Sequence, residues 1–509
     1  MQRLICVFFC LPTPWLVRAA EPSTIDPHNP PVGRFSDEWA EIYIAGGKVG
    51  YAHSTMERDG DLIRSHSTTY MQLGRDDQPV KLTVTESAVE TLTGEPRSLE
   101  SVQDHSIQKT SMKGVFKDGK VTITTSQYGN ERNEVFDFPA GALLKTWGSF
   151  RESLIKGFKP GTQYKIQLYE PALRLDGPLE AETKIGEWKE FEHQGRKLRG
   201  QEVSLTLESP IGALILDSWV DARGMPIKAK LPAPGLGDME ILTVDQKTAL
   251  KDFVPPEIFN TTVVKANQSL DRGKLQRVRY RITGKPDHKV DFSKIPETPM
   301  QRIIARDERS IELELSRVPL EYRTVQRPQT AWDDVTRKEY LDGNLMINTA
   351  DSELVALAQR AAGDEKDAFK LADKLRRFVS EYVQTKNLNV GFATASEVAR
   401  TKEGDCSEHG ILLAALGRLN GLPSRVVVGI AYVPVFGKQD DIFGYHMWTQ
   451  FYIDERWIDF DAALNESDCS PTRIAFGVSS LKNAGIADLS LPLLTLIGAI
   501  DMEILSTTP

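Results

Sequence analysis

The sequence predicts an α+β multidomain protein with a large antiparallel β region at the N-terminal side, a small β-sandwich in the middle, and a C-terminal mixed α/β domain. Three observations carry this. The chain has 509 residues, more than one hydrophobic core usually organises, and 40% hydrophobic with 26% charged residues is the composition of an ordinary globular protein. From residue 36 to about 250, apolar and polar residues alternate in short runs separated by turn signals. Beyond residue 350 the apolar spacing becomes helical.

The first segment is not part of that fold. MQRLICVFFCLPTPWLVRAA has a positive charge at Arg3, an apolar stretch from Leu4 to Val17, and small residues at Val17 and Ala19. It reads as a secretory signal over residues 1–20, cleaved after Ala19 or Ala20. A retained anchor is the rival reading, but Pro12 and Pro14 interrupt a run already short of the roughly 20 residues that span a bilayer. Cys10 follows Phe8 and Phe9, where a lipid-modified cysteine would follow small residues. Export implies a periplasmic or extracellular location, with peripheral association with the cell envelope as a further expectation. Cleavage removes Arg3 and Arg18 and takes the net charge from −9 to about −11, which argues against nucleic acid as a partner. It also removes Cys6 and Cys10, leaving Cys406 and Cys469, too few for a disulfide framework.

Residues 36–250 form the predicted β-rich domain. AEIYIAGGKVGYAHSTMERDG turns at Gly46-Gly47 and Asp59-Gly60, and KGVFKDGKVTITTSQ is a hairpin around Asp118-Gly119. One short helix is expected around Ala140 to Leu154. KDFVPPEIFNTT marks a boundary near 251–260. Residues 261–345, with KLQRVRYRITG and RSIELELSRVPL alternating again, suit the small β-sandwich. The mixed domain spans 350–480 and opens with two helices, ADSELVALAQRAAG and DEKDAFKLADKLRRFVSEYVQTK. Residues 481–509 are assigned to C-terminal strands.

Within the mixed domain, TASEVARTKEGD reads as a short helix with Thr394 or Ser396 near its N-cap, followed by a Gly404-Asp405 turn. From Cys406 an apolar helix runs to Asn420-Gly421, with Pro423 as a stop. SRVVVGIAYV is a buried strand, and GYHMWTQFYIDERWIDFDAAL gives two strands turning at Asp454-Glu455. Cys406 thus opens a helix packed against the sheet that carries His446. A helix N-terminus favours a thiolate, an imidazole can take and return the proton, and a carboxylate fixes the imidazole tautomer. Asp459 and Asp461 share one strand face, and either is in range of the ring.

The ordered set Gly-Asp-Cys-x-Glu-His, Gly-Leu-Pro-x-Arg-Val-Val-x-Gly, Gly-x-His-x-Trp and Trp-x-x-x-Asp resembles the bacterial transglutaminase-like superfamily over about 350–480. The resemblance implies a papain-like fold and a Cys-His-Asp triad for acyl transfer. It assigns the nucleophile to Cys406, the base to His446 and the orienting carboxylate to Asp461, with no cofactor and no metal. Tyr445, Met447 and Asp461-Ala462-Ala463 depart from the family's Gly-Gly-His-Ala-Trp and Asp-Pro-Thr. The bulk of Tyr445 and Met447 beside the base is expected to narrow a substrate slot. The implied function is an exported cysteine acyl-transfer enzyme acting on protein or peptide amides, as a transglutaminase or as a peptidase or amidase. The alternative is a non-catalytic scaffold carrying a degenerate domain.

Blander readings compete at each residue. Cys406 and Cys469 can form a bridge. Cys406-x-x-His409 has zinc-ligand spacing, but only one further cysteine exists to complete a site. DFDAALNE resembles the start of a calcium loop, yet Leu464 stands where the sharp turn needs glycine.

Overall fold

The computed structural model describes residues 25–74, 80–104, 109–127, 130–193, 196–209, 212–222, 224–233, 237–257, 263–286, 290–318, 333–344, 346–385, 393–436, 439–482, 496 and 498–509. The expected signal segment lies outside them, as does most of 483–497. Among the described residues no helix is long and apolar enough to cross a membrane. The chain divides into two compact units, one ending at residue 258 and one covering Phe259–Pro509.

The first unit is built on a single sheet of fifteen strands. Strands from Gly33–Ile44 to Asn130–Asp137 follow one another as neighbours, and so do those from Leu143–Leu144 to Gly237–Val244. The two runs join where Gly33–Ile44 pairs with Gly237–Val244. Pairing is antiparallel except between Leu143–Leu144 and Gln163–Tyr169. The alternation that predicted strands is visible in Leu62–Leu73, where Ile63, Ser65, Thr69, Met71 and Leu73 are buried between more exposed neighbours. Asp118 and Gly119 both take positive φ, 52° and 71°, as a tight hairpin with right-handed strand twist requires.

The expected helix near residue 140 starts later, as α1 (Trp147–Lys156). Gly141 turns the chain at φ 83°, and the helix begins only where Glu90, far away in sequence, accepts from the N–H groups of Trp147 and Gly148. Trp147 and Phe150 then pack with Met56, Ile63 and Met225.

In the second unit, Val264–Lys265 joins another sheet, while three strands of the range expected to form a separate sandwich, 261–345, make a four-stranded sheet with the strand Ile500–Thr508, which pairs with Arg277–Gly284. Its inner face, Val278, Tyr280, Ile282, Ile311, Leu313 and Leu315, is fully buried. In place of a second sheet of its own it meets the mixed α/β part. The Tyr280 hydroxyl donates to the Pro471 carbonyl at 2.9 Å, and the Gln301 side chain brackets the Ala475 backbone with two bonds of 2.9 Å.

The mixed part holds α2 (Ser352–Ala362), α3 (Ala368–Tyr382), α4 (Ala395–Thr401) and α5 (Cys406–Leu419) beside a five-stranded sheet. Its strands are β1 (Val264–Lys265), β2 (Ser424–Phe436), β3 (Gln439–Ile453), β4 (Arg456–Phe460) and β5 (Arg473–Ser479). They run β1-β3-β2-β5, with β4 also paired to β3. Ser407–Arg418 of α5 are buried on every side, because β3 and β2 take one flank and α2, α3 and α4 the others. The helix is the centre of this core.

Candidate active site

The start of α5 is set by four residues of the GDC-x-E motif. Gly404 lies at φ 147°, and a Cβ there would stand 2.2 Å from Glu408 Cβ, so only glycine fits. Asp405 is the N-cap, accepting the Ser407 N–H at 3.0 Å, and Glu408 reaches back to the Asp405 N–H at 3.0 Å. This reciprocal capping box fixes the first turn. Glu408 also accepts the Ala393 N–H at 2.8 Å, which ties the segment before α4 to the same point.

The sheet offers that first turn a gap. On one side of β3, β1 pairs with Ile442 and Phe443 and β4 pairs with Thr449–Ile453, so Gly444–Trp448 has no partner strand there among the described residues. Half-buried Cys406 fills the gap, with the backbone N–H of Met447 directed at Sγ. Side chains of β3 alternate about this line. On the helix side, Thr449 Oγ1 donates to the Gly410 carbonyl at 2.8 Å, and Met447, fully buried, packs over Gly410. Met447 therefore does not narrow a slot; it is core. Tyr445 is half-buried on the same row, with its hydroxyl enclosed and without a hydrogen-bond partner among the described residues. Burial, then the charges of Cys406, Asp405 and Glu408, push its phenol up.

The other row holds His446, Trp448 and Gln450. His446 Nε2 lies 2.6 Å from Asp461 Oδ2. A carboxylate only accepts, so Nε2 carries a proton, and in the neutral ring the lone pair is then on Nδ1. Asp459 serves different partners, accepting from Trp448 Nε1 at 2.5 Å and Gln450 Nε2 at 2.9 Å. Of the two aspartates, Asp461 bonds the ring. Burial works to raise the Asp461 carboxyl, but His446 and Arg473 hold it below the usual carboxylate range.

Arg473 is the residue the sequence reading missed. It is 1% exposed, donates to Asp461 Oδ2 at 2.5 Å, pairs with Glu466, and lies over the Trp448 ring. The signal was there: an arginine opening the apolar strand RIAFGVS is buried only with carboxylate partners.

The thiol departs from expectation. The helix start was expected to favour the thiolate, but burial and the carboxylates of Asp405, Glu408 and Asp461 push the Cys406 thiol up, against the help of the Met447 N–H. It rests neutral. The competing readings find no support in the geometry. Cys406 and Cys469 are both free, and Cys469 Sγ contacts the Glu466 carbonyl at 3.8 Å. His409 Nδ1 donates to the Asp405 carbonyl at 2.6 Å, one turn back on its own helix. Among the described residues no cluster of three or more His, Cys, Asp or Glu is placed to hold a metal.

Residues 355–462 match the family model of the transglutaminase-like superfamily. This part of the chain is a transglutaminase-like domain. No curated protein matches the chain. Among solved structures, a candidate cysteine protease from Cytophaga hutchinsonii is similar at 14% identity, over 46% of this chain and 85% of that one, with a TM-score of 0.29. A candidate protease from Parabacteroides distasonis is similar at 12% identity, over 75% of this chain and 68% of that one, with a TM-score of 0.19. The transglutaminase-like domain contains Cys406, His446 and Asp461, whereas Arg473 lies just beyond the matched residues.

Proposed function

We propose that the chain is an exported cysteine acyl-transfer enzyme in which Cys406 is the nucleophile, His446 the base and Asp461 the carboxylate that orients it. The observation that carries this reading is the 2.6 Å bond from His446 Nε2 to Asp461, which commits the ring to one tautomer with Nδ1 free to take a proton. Nδ1 takes the thiol proton as Sγ attacks an amide carbonyl. The tetrahedral intermediate collapses to a thioester, and the imidazolium gives the proton to the departing amine. Water or a second amine then attacks the thioester, Nδ1 takes its proton, and the thiol is restored. The N–H of Cys406 in the first turn has no intrahelical acceptor and suits the oxyanion.

A thiol whose ionisation is opposed by burial and by the Asp405 charge needs this general base. A non-catalytic scaffold is the second reading, and it is favoured by that same raised thiol. The full chain is incubated with a fluorescent primary amine and casein, beside Cys406→Ala. Amine incorporation lost in the variant supports transfer, and casein fragments lost in the variant support hydrolysis. Neither product from the wild-type chain, across a panel of protein substrates, sinks the enzymatic reading. Export and any contact with the cell envelope are proposals of the same standing, resting on the leader and checked by fractionating cells that express the full chain.

A further inference from the structure

Three donors converge on Asp461. The Leu464 N–H reaches Oδ1 at 2.9 Å, while His446 Nε2 at 2.6 Å and Arg473 at 2.5 Å share Oδ2. The other arm of the guanidinium goes to Glu466, whose backbone in turn exchanges two 2.8 Å bonds with the backbone of Asp461. Glu466 also faces Arg272 at 3.7 Å and lines an open cleft with Asp468 and Arg317. Arg473 is therefore one buried cation divided between two carboxylates, and one of them is also the partner of the imidazole. The Trp448 ring stacks on His446 with centroids 6.0 Å apart, and Asp459 is already engaged by Trp448 and Gln450.

We propose that Arg473 is a positioning residue of this site, fixing the Asp461 carboxylate and dividing its Oδ2 charge with His446, with Glu466 setting how much of the guanidinium Asp461 receives. The proposal rests on the functional reading above for its consequence in catalysis, but its geometry can be tested without a substrate. An oxygen that accepts a second strong donor binds the first less tightly. Removing Arg473 leaves all of Oδ2 to His446. Neutralising Glu466 does the reverse, because the guanidinium then belongs to Asp461 alone.

The test is proton NMR of the full-length chain labelled with ¹⁵N-histidine, following the His446 Nε2–H resonance far downfield of the amides and assigning it by its loss in His446→Gln. Arg473→Met is expected to move it further downfield, Glu466→Gln to move it upfield, and Arg473→Lys to return it close to the wild-type position. A merely structural arginine gives no such opposed pair. With both variants shown folded by thermal melting, an unmoved resonance, or shifts of the same sign, overturns the proposal. Should Arg473→Met not fold, Glu466→Gln decides alone, since its side chain is 20% exposed and an upfield shift is required. Where the chain turns over an amide substrate, Arg473→Met is expected to lower turnover about ten- to hundredfold, the usual cost of losing an orienting partner. A chain with no activity but with the opposed shifts refutes the enzymatic reading and leaves the positioning role standing.

Discussion

Glu90 gives the first unit a built-in dependence on pH. Its side chain is completely buried, and it caps α1 from a distant strand by accepting the N–H groups of Trp147 and Gly148, each at 2.8 Å, together with the Thr146 hydroxyl. Burial outweighs those three bonds and pushes the carboxyl from 4.5 up to about 7. The folded chain thus keeps this proton until about pH 7, while the unfolded chain releases it near the ordinary value. Stability from this group is present in full below the unfolded value and is lost as pH rises through the folded one. A shift of about 2.5 units at 1.36 kcal/mol each corresponds to roughly 3 kcal/mol between about pH 4.5 and pH 7. Glu90→Gln keeps the shape and an accepting carbonyl but cannot titrate. Urea unfolding followed by the fluorescence of buried Trp147, from about pH 5 to pH 8, should show the wild type losing roughly 3 kcal/mol relative to the variant. Parallel stability curves for the two would mean that the folded state does not hold the Glu90 proton.

Other consequences concern the C-terminal unit. Gly404→Ala drives a Cβ to 2.2 Å from Glu408 Cβ at φ 147°, so it should break the capping box and lower stability by about 1–3 kcal/mol in chemical denaturation. Met447→Ala should cost about 2–5 kcal/mol, as a fully buried side chain over Gly410 does, while leaving the substrate preference of any detected activity unchanged. An altered preference would return Met447 to the slot. Alkylation of Cys406 by iodoacetamide, followed by mass spectrometry, should set in at higher pH than for an ordinary free thiol, and Asp405→Asn should bring the onset down by removing the nearest opposing charge.

Local physics made much of this fold legible, and the failures have identifiable causes. Period-two alternation marked strands of the first unit such as Leu62–Leu73, where one face is buried and the other more exposed. The start of α5 was readable from Asp405 and Glu408, a capping pattern complete within four residues. The start of α1 was not, since its cap is Glu90, supplied by another strand. Asp459 and Asp461 have the same parity, so alternation could not choose between them, and only the family resemblance pointed to Asp461. Register chose: Gln450 pairs with Asp459, which places Asp461 further along, towards His446. Met447 is the instructive miss, because the alternation that put His446 on one face already put Met447 on the other. What alternation could not reveal is that, among the described residues, β3 lacks a partner on one edge at Gly444–Trp448, the stretch whose Met447 N–H meets Cys406. That break lets a helix-borne thiol reach the strand of the imidazole, but it also buries the thiol beside Asp405 and Glu408. Their capping box fixes the turn that carries the sulfur, while burial first and then the Asp405 charge oppose its ionisation. Under the proposed function, activation would therefore come from His446, and the Nε2 bond to Asp461 would matter more than the helix end.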